Sequence, residues 1–123
     1  MRADGSIFMF VDDDPASRRL MAKLFERHRA GDELVCASSG QDAIALARVK
    51  QPQVVLLDLN LTDMSGEDVL EALKSEIDAS VVVVSGETEE ETQRRLIERG
   101  ASDYLIKPFK VPELFALIDS LVA

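Results

Sequence analysis

Four apolar stretches of this chain end in residues able to handle a charged oxygen. Ile7–Val11 runs into Asp12, Asp13 and Asp14, Val54–Leu57 into Asp58, Val81–Val84 into Ser85 and Gly86, and Tyr104–Ile106 into Lys107 and Pro108. Carboxylates hold hard cations, a lysine ammonium is a point charge suited to phosphate, and a serine hydroxyl can donate to a phosphoryl oxygen. Among Asp12, Asp13, Asp58 and Lys107, the negative charges outnumber the positive by two. At an effective dielectric of ~20, each pair of like charges ~4 Å apart costs about 4 kcal/mol. A hard divalent cation relieves that repulsion, and Mg2+ suits the set because it takes one or two carboxylates and fills its other positions with water and phosphate oxygens. A tetrahedral phosphoryl group then fits between the cation, Lys107 and Ser85, with Asp58 in line as nucleophile.

For these residues to meet, the apolar runs must be strands whose carboxyl ends share one edge. Val54–Leu57 and Val81–Val84 do not alternate with polar residues, so both faces of each strand are covered, as in a parallel sheet between helices. Ile7–Val11, Leu34–Ala37 and Tyr104–Ile106 complete five predicted strands. Helical patterns fill the gaps. Asp14 and Pro15 open the first, which carries Leu20, Met21, Leu24 and Phe25 and ends near Gly31; Ser39 caps the second, with Ala43, Ile44 and Ala47 inward; and Ser65, with Asp68 three positions on, caps the third, with Val69, Leu70, Leu73 and Ile77 inward. Thr88 and Glu91 predict a capping box for the fourth, which buries Leu96 and Ile97 and is the least firmly anchored, and Pro112 and Glu113 open the fifth. Five strands alternating with five helices predict an α/β fold, a doubly wound parallel sheet in the order 2-1-3-4-5, with strands one and three adjacent at the crevice where such sheets bind ligands.

The 123 residues suit one compact domain, 7–123, behind a short leader, 1–6. A net charge of −9 argues against nucleic-acid binding by the domain itself, since phosphates need a basic face. Cys36 is the single cysteine, so no intrachain disulfide forms and it is expected to act as a small hydrophobe, in keeping with a cytoplasmic setting. No segment approaches the ~18 apolar residues of a membrane span, and the N-terminal run is too short for a signal peptide. His28, near the end of the first helix and without a second histidine, is expected to be a solvated residue favoured by the helix dipole.

The segments VDDD, LLDLNLTDMSG, VVVVSGE and GASDYLIKPF, in this order, resemble the CheY-like receiver domain of bacterial two-component response regulators, a flavodoxin-like fold, over Ile7 to Ala123. The resemblance implies that Asp58 is the phosphoacceptor, taking a phosphoryl group from a phosphohistidine on a sensor histidine kinase or phosphotransfer protein. It implies Mg2+ held by Asp13 directly, by Asp12 through water, by Asp58 and by the Asn60 backbone carbonyl. Lys107 and Ser85 then resemble the phosphoryl-binding lysine and switch hydroxyl, Gly86 allows close approach to the phosphoryl group, and Tyr104 looks like the switch aromatic. The Lys107–Pro108 bond is expected to be cis, and Asn60 and Glu87 hold the positions linked to the lifetime of the acyl phosphate. A downstream protein, unidentified from sequence, and a homodimer through helix four, strand five and helix five are the partners so implied, with no membrane partner. Thr62 stands where many members have proline, and Ser65 where a small acidic or polar residue is frequent; neither removes chemistry.

Two other readings compete. VVLLDLNLT also resembles the nucleophile motif of haloacid-dehalogenase-type phosphatases, but there the nucleophile strand comes first, whereas Asp12 and Asp13 precede Asp58 here. A phosphorylation-independent interaction module would not need Asp13, Asp58, Ser85 and Lys107 together. A flavin module is disfavoured because three aspartates after the first strand repel a phosphate. The expected activity is therefore self-catalysed phosphotransfer to Asp58 with slow self-dephosphorylation, and not turnover of a separate substrate.

Overall fold

A computed structural model describes residues 5–86 and 88–122. Strands and helices alternate along it as β1 (Ile7–Val11), α1 (Pro15–His28), β2 (Glu33–Ala37), α2 (Gly40–Lys50), β3 (Val54–Asp58), α3 (Gly66–Glu76), β4 (Ser80–Ser85), α4 (Glu90–Glu98), β5 (Asp103–Ile106) and α5 (Val111–Val122). All pairings are parallel and the order is β2-β1-β3-β4-β5, as the alternation of elements predicts. The register sets Val11 opposite Leu57, Asp58 opposite Val84 and Ser85 opposite Ile106. The carboxyl ends of β1, β3, β4 and β5 are therefore level, and the residues that follow them share one edge.

Side-chain alternation divides the core into two layers. Phe8, Phe10, Val54, Leu56, Val82, Val84 and Leu105 face α1 and α5, where they meet Met21, Phe25, Leu114, Phe115 and Ile118. Met9, Val11, Val55, Leu57, Val81 and Val83 face the other way, toward Ala43 and Ala47 of α2, Val69, Leu70 and Leu73 of α3, and Leu96 of α4. All five residues of β3 are buried, which accounts for the unbroken apolar run Val54–Leu57 that precedes Asp58.

Three helix starts form as their sequences predict. Asp14 accepts from the Ala16 N–H ahead of Pro15, Ser39 from Asp42, and Ser65 from Asp68. The fourth does not. Helix α4 begins at Glu90 with Glu89 as N-cap and no side-chain cap bond, so Thr88 lies outside the helix; Glu90 and Glu91 instead place negative charge in its first turn. Ile97 also departs from expectation, being 44% exposed while Leu96 is fully buried. Successive residues point about 100° apart on a helix, and α4 meets the sheet along one narrow stripe. With Leu96 its only buried residue, α4 has the narrowest apolar anchorage of the five helices, and ion pairs to α3 supplement it: Arg95 to Glu67 at 2.7 Å, Arg99 to Glu67 at 3.6 Å, and Arg99 to Glu71.

Smaller features also differ from a reading of the chain alone. Ser6, placed in the leader, donates its N–H to Asp32 Oδ1 at 2.8 Å, and its carbonyl accepts from Glu33. Residues 1–4 lie outside the described part. Helix α1 stops at His28, which is exposed yet stacks on Phe115 with ring centroids 4.6 Å apart. Cys36 is half-buried against the α1–α5 layer, and that burial raises its thiol pKa. No described helix is long and apolar enough to cross a membrane.

Candidate functional site

The alternation that buries Phe8 and Phe10 on one face of β1 sends Asp12 to the same face at the strand's end, and the same holds for Asp58 after Leu56 and for Lys107 after Leu105. Backbone pairing carries on past the strands to hold two of these positions: Asp12 N–H donates to the Ala37 carbonyl at 3.1 Å and Lys107 N–H to the Ser85 carbonyl at 2.8 Å. The three side chains converge. Lys107 Nζ lies 3.1 Å from Asp58 Oδ2 and 3.9 Å from Asp12 Oδ2.

Both carboxylates are nearly out of solvent, Asp12 at 2% exposure and Asp58 at 5%, whereas Lys107 is half-buried. Asp58 Oδ1 accepts from the Asn60 N–H at 2.9 Å, which fixes the carboxylate plane against the start of the β3–α3 loop. Asp12 Oδ1 accepts from the Asp14 N–H at 3.0 Å, but its Oδ2 has no hydrogen-bond partner. Burial therefore raises the Asp12 pKa; the Asp14 N–H opposes the shift, the neighbouring Asp58 charge adds to it, and Lys107 offsets part of it. An ionised carboxylate oxygen buried without a hydrogen bond is costly, and a cation closer than the Lys107 ammonium would answer it.

Asp13 follows in the bend after β1 and is half-buried. Among the described residues no group of three or more Asp, Glu, His or Cys side chains is placed to hold a metal together. Two buried carboxylates converge around Lys107. The donors are all oxygens, and a pair of carboxylates with water and phosphate completing the shell is how Mg2+ is usually held, so the residues present fit that ion.

Ser85 is 2% exposed at the end of β4, on the side of α4, and Gly86 beyond it is exposed. Tyr104, also on that side, is half-buried against the layer that contains Leu96. The Lys107–Pro108 peptide is cis. Asn60 is exposed, and Glu87 lies outside the described residues. Beside the carboxylates, a groove of about 560 Å3 runs between α1 and the β5–α5 connection, lined by Phe10, Leu20, Met21, Phe109 and Val111 together with Asp12 and Lys107.

Two site neighbours escape a reading of strand ends. Arg18 Nη1 donates to the Asp12 carbonyl at 2.8 Å, and Asp63 accepts from the Gly40 and Gln41 N–H groups at 2.8 and 3.0 Å. Arg18 stands one helical turn past Asp14, where an inward-turned arginine is a weak signal. Asp63 is one acid among several in a loop, and its partners lie 23 and 22 residues away.

The model of the response regulator receiver domain family matches residues 8–119. The chain belongs to that family. It is 36% identical over 118 residues to the transcriptional regulatory protein KdpE of Mycobacterium tuberculosis and 31% identical over 115 residues to the cell cycle transcriptional regulator CtrA of Caulobacter vibrioides. Those matches cover 95% and 93% of this chain but 51% and 49% of the relatives, so the receiver chain spans about half the length of the curated relatives it matches. Among solved structures, the CheY-like response regulator receiver domain protein from Methanospirillum hungatei JF-1 superposes with a TM-score of 0.86 at 26% identity, over 96% of this receiver and 94% of that chain. Family membership sets aside the phosphatase reading, in keeping with the order of Asp12 on β1 before Asp58 on β3.

Proposed function

We propose that this receiver accepts a phosphoryl group on Asp58 from a phosphohistidine of a sensor histidine kinase or phosphotransfer protein, in a Mg2+-dependent reaction. The observation that carries the reading is the buried Asp12–Asp58 pair with Lys107 Nζ 3.1 Å from the would-be nucleophile. The Asn60 N–H on Oδ1 and Lys107 on Oδ2 orient Asp58, and a remaining lone pair of one of these oxygens forms the bond to phosphorus as the phosphorus–nitrogen bond breaks. The electron pair of that bond stays with the imidazole, which takes a proton from solvent. When bound, Mg2+ would supply charge neutralisation at the equatorial phosphoryl oxygens. Asp12, Asp13, Asp58 and the Asn60 carbonyl are the groups that would hold it.

The acyl phosphate replaces one carboxylate charge with a dianion rich in acceptor oxygens. Lys107, the Ser85 hydroxyl and the Gly86 backbone stand at the strand ends that can answer those oxygens, and Tyr104 follows Ser85 on the same face. We assign Ser85 and Tyr104 as the switch pair and Asn60 and Glu87 as the positions that tune hydrolysis. The change is read on α4, β5 and α5 by a downstream protein or a second copy of the chain, through a shift of population toward the arrangement that the partner prefers. Residues 7–123 act as the receiver unit in the cytoplasm, and the apolar groove beside Lys107 supplies a surface for the phosphodonor protein.

The test is intact-protein mass after incubation with Mg2+ and acetyl phosphate, beside Asp58→Asn. Gain of one phosphoryl group that needs both Mg2+ and Asp58 is the expected result. No gain in folded protein would favour the phosphorylation-independent module, and continuous release of phosphate from added esters would favour an enzyme.

A further inference from the structure

The β3–α3 loop, residues 59–65, leaves the proposed phosphoacceptor and is tied down at both ends. At its start the Asn60 N–H donates to Asp58 Oδ1. Near its end the two carboxylate oxygens of Asp63 accept separately from Gly40 N–H at 2.8 Å and Gln41 N–H at 3.0 Å, the first two residues of α2. These donors are among the helix-start N–H groups that lack intrahelical acceptors, and a carboxylate there is favoured by both hydrogen bonding and the helix dipole. Helix α2 already has its own cap in Ser39, whose Oγ takes the Asp42 N–H at 3.1 Å. The bonds to Asp63 come from another element and join two parts of the fold far apart in sequence.

Packing reinforces the join. A methyl group at Gly40 would lie 2.7 Å from Val69 Cγ2 and 2.8 Å from Met64 Sδ, so the loop and α3 sit directly against the α2 start. At Gly66 the same addition would come 2.5 Å from Leu59 Cδ2 and 2.8 Å from Leu59 Cα, so the loop's last turn folds over its first residue. The two backbone donors hold the Asp63 carboxyl below the usual carboxylate range, and it stays ionised at neutral pH.

We propose that Asp63 is a positioning residue for the phosphorylation site, a clamp that fixes the β3–α3 loop to the start of α2 and so presents Asn60 and Asp58 to the cation and the phosphoryl group. The proposal rests on the phosphoacceptor reading above. Asp63 touches none of the reacting atoms and acts through the loop. Its removal frees the segment that carries Asn60, whereas removal of Ser39 weakens the same helix start and leaves the loop attached.

Three proteins decide it: wild type, Asp63→Ala and Ser39→Ala, with Asp63→Asn keeping one acceptor oxygen as an intermediate case. Mg2+ affinity is measured by titration calorimetry, amide exchange of residues 59–65 is followed in metal-free protein, and labelling by acetyl phosphate is followed at limiting and at saturating Mg2+. Asp63→Ala is expected to weaken Mg2+ binding ~10-fold, as loss of a group supporting a metal ligand commonly does. It should also speed exchange at Asn60 and slow labelling at limiting Mg2+, with recovery at saturation, while Ser39→Ala leaves all three near wild type. Equal effects of Asp63→Ala and Ser39→Ala, or no effect of Asp63→Ala on loop exchange and Mg2+ affinity, would overturn the clamp while leaving the receiver reading in place. Wild type that neither binds Mg2+ nor labels would overturn both.

Discussion

Asp12 is the residue where the site's electrostatic cost is concentrated. Its Oδ2 is buried beside the Asp58 carboxylate with no hydrogen bond and only the Lys107 ammonium at 3.9 Å, while Asp58 itself has Lys107 at 3.1 Å and the Asn60 N–H. Asp12→Asn keeps Oδ1 for the Asp14 N–H and turns the orphaned acceptor into an amide donor facing a carboxylate. It is expected to stabilise metal-free protein by about 1–3 kcal/mol, the usual cost of an unsatisfied buried group, and to lose that advantage when Mg2+ is added. Chemical denaturation with and without Mg2+ checks both halves. The pH dependence follows from the same shift. A carboxyl whose folded pKa is raised binds its proton more tightly in the native state, so Asp12 lowers stability as pH rises from its ordinary 3.8 through the raised value, and the deficit persists at neutral pH. Asp12→Asn should flatten that part of the pH profile; an unchanged profile would mean that the burial cost is met elsewhere.

At the scale of elements, α4 is held differently from its neighbours. Leu96 gives it one buried side chain, and Arg95 and Arg99 reach across to Glu67 and Glu71 on α3. Each pair is solvent-facing, so its contribution is small and falls further in salt. Because α4 has so little apolar anchorage, Arg95→Ala with Arg99→Ala should raise amide exchange in α4 several-fold and leave α3 and β4 protected. Salt at ~1 M, where the screening length is ~3 Å, should do the same in wild type and add little in the double variant. Exchange that rises equally in α3 would show that the two helices open as one unit. Helix α4 adjoins β5, and under the proposed phosphorylation of Asp58 a helix held by few apolar contacts and screened charges is the one expected to shift.

At the scale of the whole molecule, the two core layers share one sheet with no cut between them. Leu73 belongs to the layer under α2, α3 and α4, and Ile118 to the layer under α1 and α5, and both are essentially buried. Leu73→Ala and Ile118→Ala are each expected to cost about 2–5 kcal/mol through lost contacts and a residual cavity. Their effects should add within ~0.5 kcal/mol in the double variant, since the sites lie on opposite faces of the sheet. Unfolding should stay a single transition by circular dichroism and tyrosine fluorescence, because neither layer can lose the sheet and keep the other. Two resolved transitions would divide the molecule where the structure does not.

What the sequence determined by itself was local. The unbroken runs Val54–Leu57 and Val81–Val84 pointed to doubly covered strands, serine and aspartate at three helix starts could satisfy the first free N–H groups, and the polar residues ending the runs named Asp12, Asp13, Asp58, Ser85 and Lys107 as neighbours once the strands were parallel. What the tertiary structure decided depends on which atoms meet across the chain. Helix α4 began after the sequence's capping signal, because Thr88 and Glu91 describe a cap that nearby chain geometry did not use. Ile97 turned outward because a helix covering the sheet along one stripe has room for a single inward residue there. Asp13, as acidic as its neighbours, lies past the end of β1 and is half-buried, whereas Asp12 and Asp58 are almost wholly out of solvent. Asp63 was illegible, since the spacing of residues along a loop carries no record of the helix start that the loop will meet 22 residues back in the chain.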